Sequence, residues 1–269
     1  GAATLFTELG IMPYLVAVVV VGVILLFLTI FGYKLVSQVS TVMSVIILIC
    51  CAVIFIMGIN AKASEIGAIF SAAELPNGIL LPILDAFKYA GFQAVVIPTM
   101  IKCGQPLKTQ RNATKAMSIS FVLNAAALAL SCIMLLGWYA DFTAAGATEI
   151  PTLYICQQLG VDSLYWFYNI ALFLCFVSTG VTTVFGVVAR FENVRPLIKI
   201  NKPIVRRIIV SACVMILSMA VSMVGLSNII QYGYGYCGYV GIAIIIIPFL
   251  TVGVYKNRKF IKAHPEFRK

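Results

Sequence analysis

One short stretch, residues 82–93 with the sequence PILDAFKYAGFQ, holds the residue types and spacing best suited to chemistry. It lies inside a long apolar run, where a charge costs on the order of 3 kcal/mol on membrane-insertion scales. Asp85 and Lys88 are three positions apart, so on a helix they share one face and can pair. One interpretation is a structural ion pair near the membrane surface. The other is a solute pathway, lined by Asp85, Lys88, Tyr89, Gly91, Phe92 and Gln93.

The pathway interpretation makes a prediction about the backbone around Gly91. Glycine lowers the barrier to leaving helical geometry, and an unwound segment exposes N–H and C=O groups. In secondary transporters, such freed groups bind substrate and ions near the membrane midplane. We therefore expect the helix to loosen across residues 89–91.

A second cluster of polar groups, residues 178–183 with the sequence STGVTT, lies in another apolar run. Its hydroxyls are paired at i,i+4, and hydroxyl and carbonyl oxygens are ligands that a small hard cation prefers. The pattern predicts an ion site made of Ser178, Thr179, Thr182 and Thr183. The alternative is that these small residues only pack against other helices and bond back to their own backbone.

Tyrosines recur at 232, 234, 236 and 239, in and just after a Gly-rich link at the predicted outer surface. An aromatic belt at the membrane surface is the default explanation, and a gate or partner surface is the alternative. The eight cysteines are scattered, and His264 is the only histidine, so no metal site is predicted. Nucleotide-binding and hydrolase motifs are missing from the sequence. We expect neither an enzyme nor a cofactor, apart from a coupling ion, sodium or a proton.

The elements that must position these residues are membrane helices. Of 269 residues, 62% are hydrophobic and 10% are charged, whereas soluble domains have about 25% charged residues. The apolar residues form seven runs long enough to cross a bilayer. The sequence predicts an all-α membrane helix bundle in a single transmembrane domain. Its helices cover residues 12–33, 39–59, 79–101, 116–139, 163–190, 208–226 and 238–255, and a basic cytoplasmic tail covers 256–269.

The distribution of positive charge predicts the orientation of these helices. If each run crosses once, seventeen of the nineteen Lys and Arg residues fall on one side. Lys62 alone lies on the other side, and Lys88 lies inside the third run. Because cytoplasmic loops carry the excess of Lys and Arg, we expect a multi-pass protein of the cell membrane with an external N-terminus and a cytoplasmic C-terminus. The charge of +10 is therefore a topology signal, and no nucleic-acid partner is expected.

Several short motifs carry a resemblance to a known family. They are the opening GAATLF, the segment GIMPY at 10–14, Phe31-Gly32, and LDAFKYAGFQ at 84–93. With these motifs the chain resembles the YkvI-like family of bacterial membrane proteins, which is similar to the amino acid/polyamine/organocation transporter superfamily. The resemblance implies a leucine-transporter fold of ten helices, of which the seven here would be the fourth to the tenth. The chain is then expected to lack upstream helices, including the first, which would supply half of each site.

The resemblance also implies roles for the two clusters. Residues 85–93 would lie in the broken sixth helix at the substrate site, and the hydroxyls of residues 178–183 would lie in the eighth, where sodium-coupled relatives bind their ion. Lys88 and Gln93 depart from the usual residues of such relatives. A fixed ammonium on Lys88 can replace a coupling sodium.

Two functions from different classes follow from the sequence. The first is secondary active transport of an amino acid or similar small organic solute, driven by an ion gradient. The alternative is a non-transporting membrane receptor or scaffold on the same fold, similar to germinant-receptor subunits. A retinal protein is disfavoured because the only lysine near the last helix, Lys256, lies at its cytoplasmic end. The expected partners are the lipid bilayer, a small organic solute and a second copy of the chain.

Overall fold

A computed structural model describes residues 1–72, 78–97 and 107–267, and within residues 32–41 it describes the backbone alone. Regular structure in these ranges is helical throughout. Six of the described helical stretches are long and apolar enough to cross a membrane. The chain is therefore a polytopic helical membrane protein, and its apolar helices fit contact with a lipid bilayer.

Eleven helices are numbered here in chain order. They are α1 Ala2–Glu8, α2 Tyr14–Phe27, α3 Tyr33–Ala61, α4 Ala63–Ala72, α5 Leu80–Ala94, α6 Gln110–Ala144, α7 Pro151–Gln158, α8 Asp162–Phe191, α9 Arg195–Ile198, α10 Pro203–Ser222 and α11 Leu226–Ala263. A π-helical segment, Leu28–Gly32, joins α2 to α3. Further π-helical turns lie within α11, which is followed by the short 3₁₀ helix Pro265–Phe267.

The first two predicted helices, 12–33 and 39–59, are not separated by a break at the residues between them, which include the polar Lys34 and Gln38. The backbone passes from α2 through Leu28–Gly32 into α3 without leaving helical geometry. Residues 33–41 contain neither Gly nor Pro, so no residue in the link breaks the helix. The side chains of residues 32–41, including Lys34 and Gln38, lie outside the described part of the chain.

The third predicted helix, 79–101, appears as α5, which has 15 residues and is shorter than a bilayer-spanning helix. The amides of Val95 and Val96 donate to the carbonyls three residues back, on Phe92 and Gln93, which tightens the last turn. Residues 98–101, the end of this predicted helix, lie outside the described residues, as do residues 102–106, which include Cys103.

The later helices differ from the predictions chiefly in length. Helix α6 extends the predicted 116–139 at both ends, and α8 lies within one residue of the predicted 163–190. Helix α10 begins and ends a few residues before the predicted 208–226. The seventh predicted helix, 238–255, begins twelve residues earlier as α11, so the Gly/Tyr-rich segment 231–236 is helical. The first part of the predicted basic tail continues α11 as far as Ala263.

The described chain divides into two compact units. Unit 1 comprises Gly1–Ser71 and Ala129–Leu226, and unit 2 comprises Ala72–Leu128 and Ser227–Lys269. Unit 1 has its main core where α3, the second half of α6, α7 and α8 meet, around the fully buried Ile54, Met134 and Ile155. Small residues allow this packing, because a side chain at Gly58 would lie 2.7 Å from the sulfur of Met134.

A polar cluster closes one end of that core. The indole N–H of Trp138 donates to the Gly58 carbonyl at 2.9 Å, and the Lys62 ammonium lies 5.2 Å from the Trp138 ring centroid. The same ammonium pairs with Asp141 at 2.9 Å and with Glu65 at 3.5 Å. Lys62, the one basic residue on its predicted side of the membrane, is thus neutralised by two carboxylates and a π-face.

We predict that Asp141→Asn makes the stability of unit 1 less sensitive to alkaline pH. The hydrogen bond to Asp141 raises the pKa of Lys62 above its ordinary value of 10.5. This stabilisation is complete below that value and is lost as the pH rises through the raised pKa. Thermal unfolding in detergent between about pH 8 and about pH 12 should show a steeper loss for the parent chain than for the variant.

The matched control is Asp162→Asn, which removes the same charge from the start of α8. It should follow the parent chain at every pH. A variant Asp141→Asn with the parent's pH dependence would contradict the role given to this ion pair.

Candidate solute-binding site

An open cavity of about 850 Å³ lies in unit 2 between α5 and the first half of α11. Four residues of α5 line it, and all four belong to the predicted substrate set: Asp85, Lys88, Tyr89 and Phe92. The opposite wall comes from α11 and includes the tyrosines Tyr232, Tyr234, Tyr236 and Tyr239. The cavity therefore combines one ion pair with six aromatic rings.

The ion pair is formed within one turn of α5. The Lys88 ammonium donates to the Asp85 carboxylate at 2.8 Å, as the i,i+3 spacing predicted. The ammonium also lies 5.8 Å from the centroid of the Tyr239 ring, within the range of a cation–π interaction. The Asp85 side chain is 69% exposed and that of Lys88 is 35% exposed, so the carboxylate is the more accessible of the two charges.

Aromatic contacts fix the geometry of the cavity wall. Phe92 of α5 stacks on Tyr234 of α11, with ring centroids 4.0 Å apart and planes 14° from parallel. Gln93 donates from its side-chain amide to the Tyr89 hydroxyl at 2.7 Å. Gln93 does not line the cavity, although it was predicted in the substrate set; its contact instead positions the Tyr89 ring, which does.

The tyrosines of α11 were not predicted as site residues. Because the segment 231–236 was interpreted as a link at the membrane surface, an aromatic belt was the default explanation and a gate or partner surface the alternative. The signal was present in the spacing: Tyr232, Tyr236 and Tyr239 are separated by four and three positions, which places them on one face of a helix. The glycines between these tyrosines suggested a loop, so the helical spacing of the tyrosines was not used.

Gly91 lies outside the cavity lining and has a different role from the predicted one. A side chain at Gly91 would overlap the Gly238 carbonyl oxygen and lie 2.8 Å from Ile242. A side chain at Gly238 would likewise overlap the backbone of Lys88, and one at Gly241 the carbonyl of Gly91. The backbones of α5 and α11 therefore touch, and each glycine is required where it lies.

The prediction that α5 loosens at residues 89–91 is wrong for this structure. Helix α5 is continuous from Leu80 to Ala94. The physical reason is the contact just described. Gly91 allows the backbone of α5 to touch that of α11, and a regular helix holds the two backbones in this contact whereas an unwound segment does not. Backbone groups of α5 are therefore held in the helix, and the chemistry of the cavity depends on its side chains.

The four predicted ion ligands lie on α8 in unit 1. Ser178 donates its hydroxyl proton to the Cys175 carbonyl at 3.0 Å, and Thr182 donates to the Ser178 carbonyl. Thr179 and Thr183 are exposed. These two hydrogen bonds are the ones expected if the hydroxyls only bond back to their own backbone. Each hydroxyl oxygen nevertheless keeps lone pairs that can bind a cation. Ion binding by these residues stays a prediction.

No family model, no curated protein and no solved structure matches this chain. The resemblance to the YkvI-like family stays a prediction. The geometry of the cavity therefore carries the functional argument.

We predict that Gly91→Ala destabilises the α5–α11 contact. The added methyl group cannot be accommodated without separating the two backbones, and overpacking of this kind costs about 1–3 kcal/mol. Thermal unfolding of the purified chain in detergent should show a lower midpoint than that of the parent.

Gly235→Ala is the matched control, since a side chain there meets nothing within 4 Å. Alanine is the better helix former, by about 1 kcal/mol, so this variant should equal or exceed the parent's stability. Equal midpoints for the two variants would contradict the close contact at Gly91.

Proposed function

We propose that this chain functions in secondary active transport and that it binds an amino acid or a similar small organic solute in the cavity of unit 2. The observation that carries the proposal is the exchangeable ion pair of Asp85 and Lys88 beside six aromatic rings. Small-molecule sites are typically concave and aromatic, with a few convergent polar groups that fix orientation.

The charges of the cavity suit a zwitterion. Asp85 and Lys88 neutralise each other at 2.8 Å in the absence of a ligand, so the pair carries no net charge. A solute with both an ammonium and a carboxylate can replace each partner of the pair, its ammonium on Asp85 and its carboxylate on Lys88. This exchange replaces one ion pair by two, whereas a solute of single charge forms one pair and leaves the other protein charge without a partner.

The rings supply the second half of recognition. Tyr89, Phe92 and Tyr234 present faces and edges that favour apolar or aromatic side chains of a solute. The high exposure of the tyrosines on α11, such as 57% for Tyr232 and 70% for Tyr236, leaves contact area for a ligand. Several aromatic rings can contact solutes of different shapes. This supports binding of a class of solutes and not of a single compound.

We predict that Asp85→Asn and Lys88→Gln each weaken binding of zwitterionic amino acids by about tenfold or more, because each removes a charge-assisted hydrogen bond. The double variant Asp85→Lys with Lys88→Asp keeps an ion pair and should recover part of the affinity. Titration calorimetry of the full chain in detergent, with a panel of amino acids, their amides and their deaminated acids, measures these differences.

Tyr234→Ala should also lower affinity, whereas Tyr255→Ala, on the same helix but outside the cavity lining, should not. Zwitterions that bind no better than their amides would contradict the proposal. A chain that binds no solute in this panel, and captures partner proteins through the same surface, would favour the receptor or scaffold alternative.

The proposal includes a coupling ion, sodium or a proton. Sodium coupling through the hydroxyls of α8 predicts that replacing choline by sodium raises solute affinity, and that Thr182→Val removes the increase. Thr251→Val is the control, because Thr251 makes the same bond to its own helix, to Ile247 at 2.7 Å. Equal affinities in the two salts would exclude sodium coupling and leave the proton.

A further inference from the structure

A second cavity of unit 2, about 720 Å³ in volume, lies between the start of α6 and the end of α11. Its floor is apolar and is made by Met117, Phe121, Val122, Phe260, Ile261 and Phe267. None of these residues belongs to the solute cavity, so this groove is a separate feature. We call it the α6–α11 groove.

The floor is shaped by the turn that follows α11. Phe267 in the 3₁₀ turn folds back onto Phe260, with ring centroids 5.6 Å apart, and the His264 ring stacks on Phe260 at 4.5 Å. The aromatic floor is nevertheless accessible, since Phe260 is 48% and Phe121 is 73% exposed. On a membrane helix, an exposed apolar surface of this kind can contact an acyl chain.

The basic rim of the groove consists of Lys108, which lines it, and of exposed Lys and Arg residues that lie beside the lining on both helices. On the α6 side, Lys108 lines the mouth, and Arg111 and Lys115 follow on the next turns. On the α11 side, Asn257 lines the mouth and is flanked by basic residues. These exposed residues of α11 are Lys256, Arg258, Lys259 and Lys262.

Negative charge does not balance this rim. Within the described residues of unit 2, the carboxylates are those of Asp85, which pairs with Lys88 in the other cavity, and of Glu266. Both helices also change from apolar to basic at the groove, α6 between Met117 and Lys115 and α11 between Val254 and Lys256. Such a change of residue type is expected where a membrane helix passes from the acyl chains to the headgroups.

We propose that the α6–α11 groove is a binding site for an anionic phospholipid. The Lys and Arg rim holds the phosphate headgroup, because clustered basic residues directly after a membrane helix attract anionic lipid. The apolar floor takes the beginning of an acyl chain. A free phosphate has no group for that floor, so the lipid is the occupant that matches both parts.

The test is lipid retention by the full chain, measured by native mass spectrometry after titration with phosphatidylglycerol or with phosphatidylcholine of the same acyl chains. The parent chain should retain phosphatidylglycerol about tenfold more strongly. The triple variant Lys108→Gln, Lys256→Gln, Arg258→Gln should lose this preference, because Lys108 lines the groove and the other two flank the lining residue Asn257.

Two matched controls separate the groove from general surface charge. Arg190→Gln with Arg195→Gln and Lys199→Gln removes three charges from unit 1 and should keep the preference. Val122→Trp fills the floor without changing charge and should lower retention of phosphatidylglycerol, whereas Ile119→Trp, on the same helix outside the groove, should not. Circular dichroism of each variant establishes that it is folded.

Three results would overturn the proposal. Equal retention of the two lipids would show that the rim does not select anionic headgroups. Equal losses in the two triple variants would show a general charge effect. Competition by glycerol phosphate at the same concentration as phosphatidylglycerol would show an anion site that does not recognise the acyl chain.

Discussion

The constraint on which this structure depends is the supply of backbone hydrogen bonds in lipid. Each buried N–H and C=O must find a partner within the protein, because the hydrocarbon offers none. Helices satisfy this internally, and the described chain remains helical where its sequence suggested breaks: across residues 33–38, at Gly91, and along the glycine-rich segment 231–236. Glycine and isolated polar residues are too weak to interrupt a helix when an interrupted helix leaves backbone groups unpaired.

Where glycines do not break helices, they bring them together. Gly91, Gly238 and Gly241 allow the backbones of α5 and α11 to touch, and this contact determines which side chains meet beside it. One turn from the contact, Phe92 stacks on Tyr234 and Lys88 reaches the Tyr239 ring. The cavity is a consequence of the contact: two helices that touch at small residues diverge at larger ones, and the space between the larger ones is lined with rings and one ion pair.

The charged side chains of this apolar chain occur in three different environments. Lys62 is surrounded by Asp141, Glu65 and the Trp138 ring, which makes it part of the unit 1 core. Asp85 and Lys88 form a local pair that is neutral and accessible, which suits exchange with a zwitterion. The basic residues around the α6–α11 groove have few carboxylates near them, so their partner is best supplied by the membrane. The same residue types thus serve stability, ligand exchange and lipid attraction according to what surrounds them.

The amino-acid sequence was sufficient for the membrane class, the helical architecture and the Asp85–Lys88 pair, because these depend on composition and on contacts within one turn. It also located four lining residues of the cavity, since they lie together on one helix. The partner wall formed by the tyrosines of α11 and the true role of Gly91 required the tertiary structure. Both depend on which helix packs against α5, and contacts between segments more than a hundred residues apart leave no local periodicity in the sequence.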